Sequence, residues 1–334
     1  MTTDGVAGAG PAWPGGRRFA FTVFDDTDGT TLETGPPVYD LLTDLGLFVT
    51  KSVWPLAVDP GRSGAVGGAS LEEPDHLAWI RDLAAAGHEI GYHHASDHSS
   101  DRERTRRALD RFRELLGHDP RIGADHAGNR ESLAAGADRL SGWRGAAYRT
   151  AQRRLQPTRP AFSGATPGSP WFWGDLCRER ITYWRGLTFP RTDLTGIVPA
   201  MPFHDPTRPY VDLWFLSGHA PRVDALLDRL APAQLDRLEA NGGVCILYTH
   251  LGIGTAVDGR VDRRVERALR DLAGRDGWFA PASQVLDHLR ARHGGGAVLA
   301  GRDRARMERR WLVDRLRSRE RLGPRVPTHE VWPT

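Results

Sequence analysis

Three observations predict a parallel α/β fold, either a closed barrel or an open sheet. Apolar runs of strand length alternate with helix-period segments, the alternation covers most of the 334 residues, and no internal repeat of fixed period replaces it. The first strand is expected at about Arg18–Phe24. A helix follows at Val38–Leu45, with Pro36 and Pro37 at its start, where proline is tolerated. Leu47–Val53 reads as the second strand, residues 57–70 as a Gly-rich loop, and Pro74–Ala86 as an amphipathic helix closed by Gly87. His88–Tyr92 is a short strand, and Asp101–Leu116 a charged helix closed by Gly117.

In the middle, Asn129–Leu140 is expected to be helical, residues 156–175 an ordered loop, and Ile181–Phe189 and 208–216 strands. Helices are expected at Val223–Leu230 and Ala233–Ala240. Gly243–His250 then reads as a buried strand, Val261–Leu272 as a helix, Gly277–Ala280 as a short strand and Ser283–Arg292 as a helix. Arg302–Arg321 reads as a solvated, Arg-rich helix.

Composition narrows the function classes. Hydrophobic residues make up 40% of the chain, enough for a core. No apolar run is long enough to span a bilayer, and residues 1–16 carry no charged-then-apolar export signal, so a cytoplasmic location is expected. The two cysteines, Cys177 and Cys245, form neither a disulfide framework nor a CxxC pair. Residues 302–321 hold nine Arg against four Asp or Glu, so the other 314 residues carry a net charge of −2. Basicity is therefore a property of the tail, and nucleic acid is not an expected partner.

Chemistry collects at strand ends, as parallel α/β folds require. The first strand runs into FTVFDDTDGTT, which places Asp25, Asp26 and Asp28 together. Clustered carboxylates cost stability unless a cation or proton lies among them; a solvated turn is the bland alternative. The third strand runs into GHEIGYHHASDH. There either His93 or His94 can converge with His98, and two imidazoles with a carboxylate suit a metal with an open position. A late strand ends in CILYTH, at His250.

These three segments resemble the motifs of the polysaccharide deacetylase superfamily (carbohydrate esterase family four and relatives), over roughly residues 18–290. The resemblance implies a deformed (β/α) barrel of about seven parallel strands. It divides the chain into a leader at 1–17, the barrel at 18–295 and a basic C-terminal helical extension at 296–334. It also implies metal-dependent hydrolysis of an amide C–N bond, most simply N-deacetylation of an amino-sugar substrate. Another amide, formamide or ureide hydrolase on the same fold, or a silent glycan- or protein-binding barrel, are the alternatives. By position, Asp25 is implied as general base and His250 as general acid, with Asp26, His93 and His98 as ligands of a divalent metal, zinc by preference.

The sequence departs from that pattern in places. Asp97 stands four residues after His93, where the family's second histidine falls, and Thr27 replaces a glycine. ADHAGNRES (124–132) is the candidate for the family's arginine motif, with Arg130 steadying the base and His126 or Asn129 lining the site. Asp28 is either a partner behind the ligands or a turn residue. WFWGDLCRERITYWRG (171–186) has no counterpart and is expected to wall the site or to pack beneath a loop. The expected partner is a carbohydrate or glycosylated small molecule.

Overall fold

The computed structural model describes residues 13–126, 128–155 and 161–321. Residues 1–12 of the expected leader and 322–334 of the expected extension lie outside the described residues, as do 156–160 of the expected loop.

Seven parallel strands close into a barrel: Phe19–Asp25, Thr50–Val53, Glu89–Tyr92, Ile122–Gly123, Tyr183–Phe189, Leu213–His219 and Val244–Thr249. Each pairs with the next, and the seventh returns to the first along its whole length, from Ala20↔Val244 to Asp25↔Thr249. The second strand pairs with Phe24 and Asp25 of the first, and the short strand Gly277–Phe279 pairs with Phe19–Phe21. All seven residues of the first strand are buried. A barrel strand faces the interior on one side and helices on the other, so its sequence runs apolar without alternation.

The helices follow their local signals. Pro36–Asp44 and Pro74–Ala86 both begin on proline. In Arg102–Leu116 the side chain of Asp101 accepts from the Arg104 amide as an N-cap. Gly87 and Gly117 close the last two of these helices at φ of 106° and 84°, which a side chain would oppose.

Two expectations are corrected. The helix expected at Asn129–Leu140 does not form; the segment makes turns and a short 3₁₀ stretch, Gly136–Arg139. The Ser132 side chain bonds to the His126 carbonyl, a local bond that competes with a helix, and Asn129 bonds across to the Ser96 and His98 carbonyls. A helix at Gly142–Leu155 takes up the role instead. The Arg-rich helix, Gly301–Arg321, is not solvated all round. Arg304, Met307, Glu308, Trp311 and Asp314 are buried and share one face at helical spacing. The Glu308 carboxylate accepts from the Ser141 amide and the Arg144 guanidinium, both at 2.8 Å. Asp314 accepts two bonds from Arg191, and Arg304 is paired with Asp205. Among the described residues no helix is long and apolar enough to cross a membrane.

His88 sits in the wall beneath this barrel. Its Nδ1 accepts from the Val49 amide at 3.2 Å, so that nitrogen carries no proton. Burial pulls its pKa down to about 4. The unfolded chain then binds a proton below about pH 6.5 that the folded chain refuses. Stability from this site is complete above pH 6.5 and is lost as pH falls towards 4, by up to about 3 kcal/mol. Urea unfolding of the parent and of His88→Gln across pH 4–7 should give a shallower pH slope in the variant; equal slopes would count against the assignment.

Candidate metal centre

The carboxyl ends of four barrel strands, with one residue from inside a fifth, supply the site. Asp25 closes the first strand, and the Asp26 amide continues the ladder by donating to the Thr249 carbonyl. A turn from Thr27 to Thr30 then presents Asp28. His93 and His94 follow the third strand, Asp125 and His126 the fourth, and His250 the seventh. Arg185 enters from within the fifth strand.

The three neighbouring carboxylates have separate partners. Asp25 is fully buried: its Oδ1 accepts from the Leu251 amide at 2.6 Å, its Oδ2 accepts from Tyr39 Oη at 2.8 Å, and Lys51 Nζ forms an ion pair with Oδ2 at 2.9 Å. Asp26 accepts a bidentate pair from Arg185, at 2.7 and 2.6 Å. The Arg185 guanidinium in turn lies 4.3 Å from the Tyr248 ring centroid and 4.9 Å from that of Phe24. Among the described residues the Asp28 carboxylate is paired with imidazoles: Oδ1 is 3.3 Å from His93 Nε2 and 3.8 Å from His126 Nε2, and Oδ2 is 3.3 Å from His250 Nε2.

Among the described residues, one group of His, Cys, Asp or Glu brings three ligand atoms within 4.8 Å of one another: Asp28, His93 and His126, all buried. Asp28 Oδ1, His93 Nε2 and His126 Nε2 all lack a hydrogen-bond partner despite their burial. Unpaired buried polar atoms are costly, and three that converge fit a cation-binding site better than a packing accident. One carboxylate and two imidazoles match a catalytic zinc donor set, which leaves a position open.

The trio read from the motifs, Asp26, His93 and His98, does not meet. Asp26 is held by Arg185, although its Oδ2 borders the centre at 3.7 Å from His93 Nε2. His98 turns away: its Nε2 accepts from the Asp59 amide at 3.1 Å, and its Nδ1 lies 3.1 Å from the Ser99 carbonyl. His94, the alternative, has φ of +64°. That turn sends its ring to Asp125 Oδ1, at 3.2 Å, and onto the indole of Trp184. Asp97, at the family's second-histidine position, approaches His126 Nε2 to 3.5 Å while accepting from the Val66 and Gly67 amides of the Gly-rich loop.

Arg130 is exposed and lies over the Trp171 ring, and the arginine that pairs with Asp26 is Arg185. Arg185 belongs to the 171–186 segment, whose Trp173 is buried. His250 donates from Nδ1 to the Pro221 carbonyl at 2.9 Å, which leaves Nε2 towards Asp28 and Tyr248 Oη. Burial opposes its charge, but the bond to Asp28 and the Asp28 and Asp26 charges raise its pKa to about 9. Burial also opposes the Asp28 charge, and the surrounding imidazoles still hold its pKa well below the usual range. Beneath the centre, burial raises Glu131 to about 7, against the charge of His94.

Neither a family model nor a curated protein sequence matches the chain. Among solved structures it is similar to one assigned to the polysaccharide deacetylases, from Mycobacterium smegmatis. The TM-score is 0.50 at 16% identity, over 87% of this chain and 97% of that one. A second such structure, from Pseudomonas aeruginosa PAO1, gives 0.48 at 15% identity over 85% and 95%. A PuuE allantoinase gives 0.47 at 15% identity over 86% and 96%. At 16% identity the first of these likenesses establishes a shared fold, and the chain has a polysaccharide deacetylase-like barrel.

Asp25 and Lys51 form a buried pair with both side chains fully enclosed. Removing one member leaves the other charge uncompensated, at a cost of about 3–5 kcal/mol. Chemical denaturation should show Lys51→Met destabilised by roughly that amount, with part of the loss recovered in the Lys51→Met/Asp25→Asn double variant. A single variant as stable as the parent would exclude the structural role.

Proposed function

We propose that the protein is a metal-dependent hydrolase of an amide C–N bond, with Asp28, His93 and His126 holding the divalent ion. The observation that carries this reading is the convergence of their three unpartnered, buried ligand atoms. The N-acetyl group of an amino-sugar is the proposed substrate. It is supported by the motif resemblance and by the fold shared with a structure assigned to the polysaccharide deacetylases. Zinc is the proposed metal, on the donor set.

When bound, such an ion polarises a carbonyl and acidifies water. The protein supplies the proton transfers. Asp26 borders the centre and is the proposed general base, one residue beyond the Asp25 that the motif implied. Arg185 fixes both its oxygens in orientation, and each oxygen retains a further lone pair for the attacking water's proton. His250 is the proposed general acid. The Pro221 carbonyl occupies Nδ1, so Nε2 is the nitrogen presented to the departing amine. Asp25 has the part of a structural tie.

Metal analysis and acetate release from soluble N-acetyl sugars test the reading. The purified protein should hold about one divalent ion per chain and lose activity on chelation. His93→Ala and His126→Ala should lose the metal, whereas His98→Ala should keep it. Asp26→Asn should keep the metal and lose about 10²–10⁴-fold in turnover. Full activity in the stripped protein, or metal retained by His126→Ala but lost from His98→Ala, would sink this assignment.

A further inference from the structure

We propose that Asn129 is the positioning residue that sets the ring and tautomer of His126, with Glu131 as its anchor. This rests on the reading of Asp28, His93 and His126 as a metal centre. An imidazole can ligate through Nε2 only if the remaining proton is on Nδ1, and something must hold it there.

The Asn129 carboxamide is buried among acceptors. Its nitrogen donates to the Ser96 carbonyl at 3.3 Å, the His98 carbonyl at 3.2 Å and Glu131 Oε1 at 3.0 Å. Two of the three oxygens around that atom are backbone carbonyls, which cannot donate to an amide oxygen, so it must be the NH₂ group. The amide oxygen therefore faces His126 Nδ1, at 3.1 Å, and an oxygen that only accepts requires Nδ1 to carry the proton. The lone pair is left on Nε2, which has no hydrogen-bond partner and points among Asp28 and Asp97.

The same side chain braces the site mechanically. Ser96 and His98 belong to the loop that follows His93, whereas His126 and Glu131 belong to the loop after the fourth strand. Asn129 thus bonds one ligand directly and ties its loop to the segment carrying another. Glu131 is buried and lies 3.6 Å from His94 Nδ1, so the brace continues below the centre to His94 and Asp125. Ser132 Oγ also donates to the His126 carbonyl, at 3.3 Å.

Competition titration with zinc tests the proposal on the full chain, comparing the parent, Asn129→Ala and His126→Ala. Loss of such a partner typically weakens metal affinity by about 10–100-fold; Asn129→Ala should show that loss and His126→Ala a larger one. A cobalt-substituted Asn129→Ala protein should also show an altered visible spectrum, which a remote packing defect would leave alone. Affinity and spectrum equal to the parent would overturn the proposal while leaving the metal centre intact. A parent that binds no zinc would instead remove the centre itself, and this inference with it. Should Asn129→Ala fail to fold, nitrogen NMR of the zinc-loaded parent decides. A protected Nδ1 proton on His126 supports the proposal, and a proton on Nε2 overturns it.

Discussion

Three carboxylates at the mouth of a closed barrel cannot share one counter-charge, and the site is organised around that constraint. Asp25 and Asp26 are adjacent, and Asp28 follows within one turn, all of them buried. In a low-dielectric setting each needs its own positive partner or donors. Asp25 has Lys51, Tyr39 and a backbone amide; Asp26 has the fork of Arg185. Both sets are permanent bonds between covalently fixed groups. Asp28 alone faces groups whose charge is conditional, the imidazoles of His93, His126 and His250. It is therefore the carboxylate whose surroundings fit an external cation.

The division of labour explains what could be read from the chain and what could not. Strand ends are visible as apolar runs that stop at charged residues, so a parallel α/β fold and the three motif loops are legible, while closure into a barrel is implied by the motif resemblance. Which of Asp25, Asp26 and Asp28 does which task depends on Lys51 and Arg185, which approach from the second and fifth strands and carry no local signal. His98 matched the motif's composition, but ligation depends on direction, and the φ of +64° at His94 redirects the chain that leads to it. His126 was in view as a residue lining the site. The signal that could have promoted it is the Asp97 at the family's second-histidine position: a ligand missing from one loop invites a substitute from the neighbouring strand, and His126 follows that strand directly.

The middle and end of the chain show the same limit in another form. Asn129, Glu131 and Ser132 sit in a segment with acceptable helical composition, yet their side chains bond to backbone and to one another across loops. Local propensity lost to polar contacts made by residues some thirty positions away. In the C-terminal helix the arginine content masked an apolar and acidic face. Met307 and Trp311 are buried there, and Glu308 and Asp314 accept arginines from elsewhere in the fold. When nearly every cationic residue is arginine, its count says little about which side of a helix meets water.

Lys51 is the only lysine in the chain, and its side chain is wholly enclosed. The native surface therefore offers no ε-amine to acylating reagents, cross-linkers or enzymes that modify lysine. Any adduct at this position records a molecule whose barrel has opened, so a single mass measurement on that one residue counts the excursions of the fold.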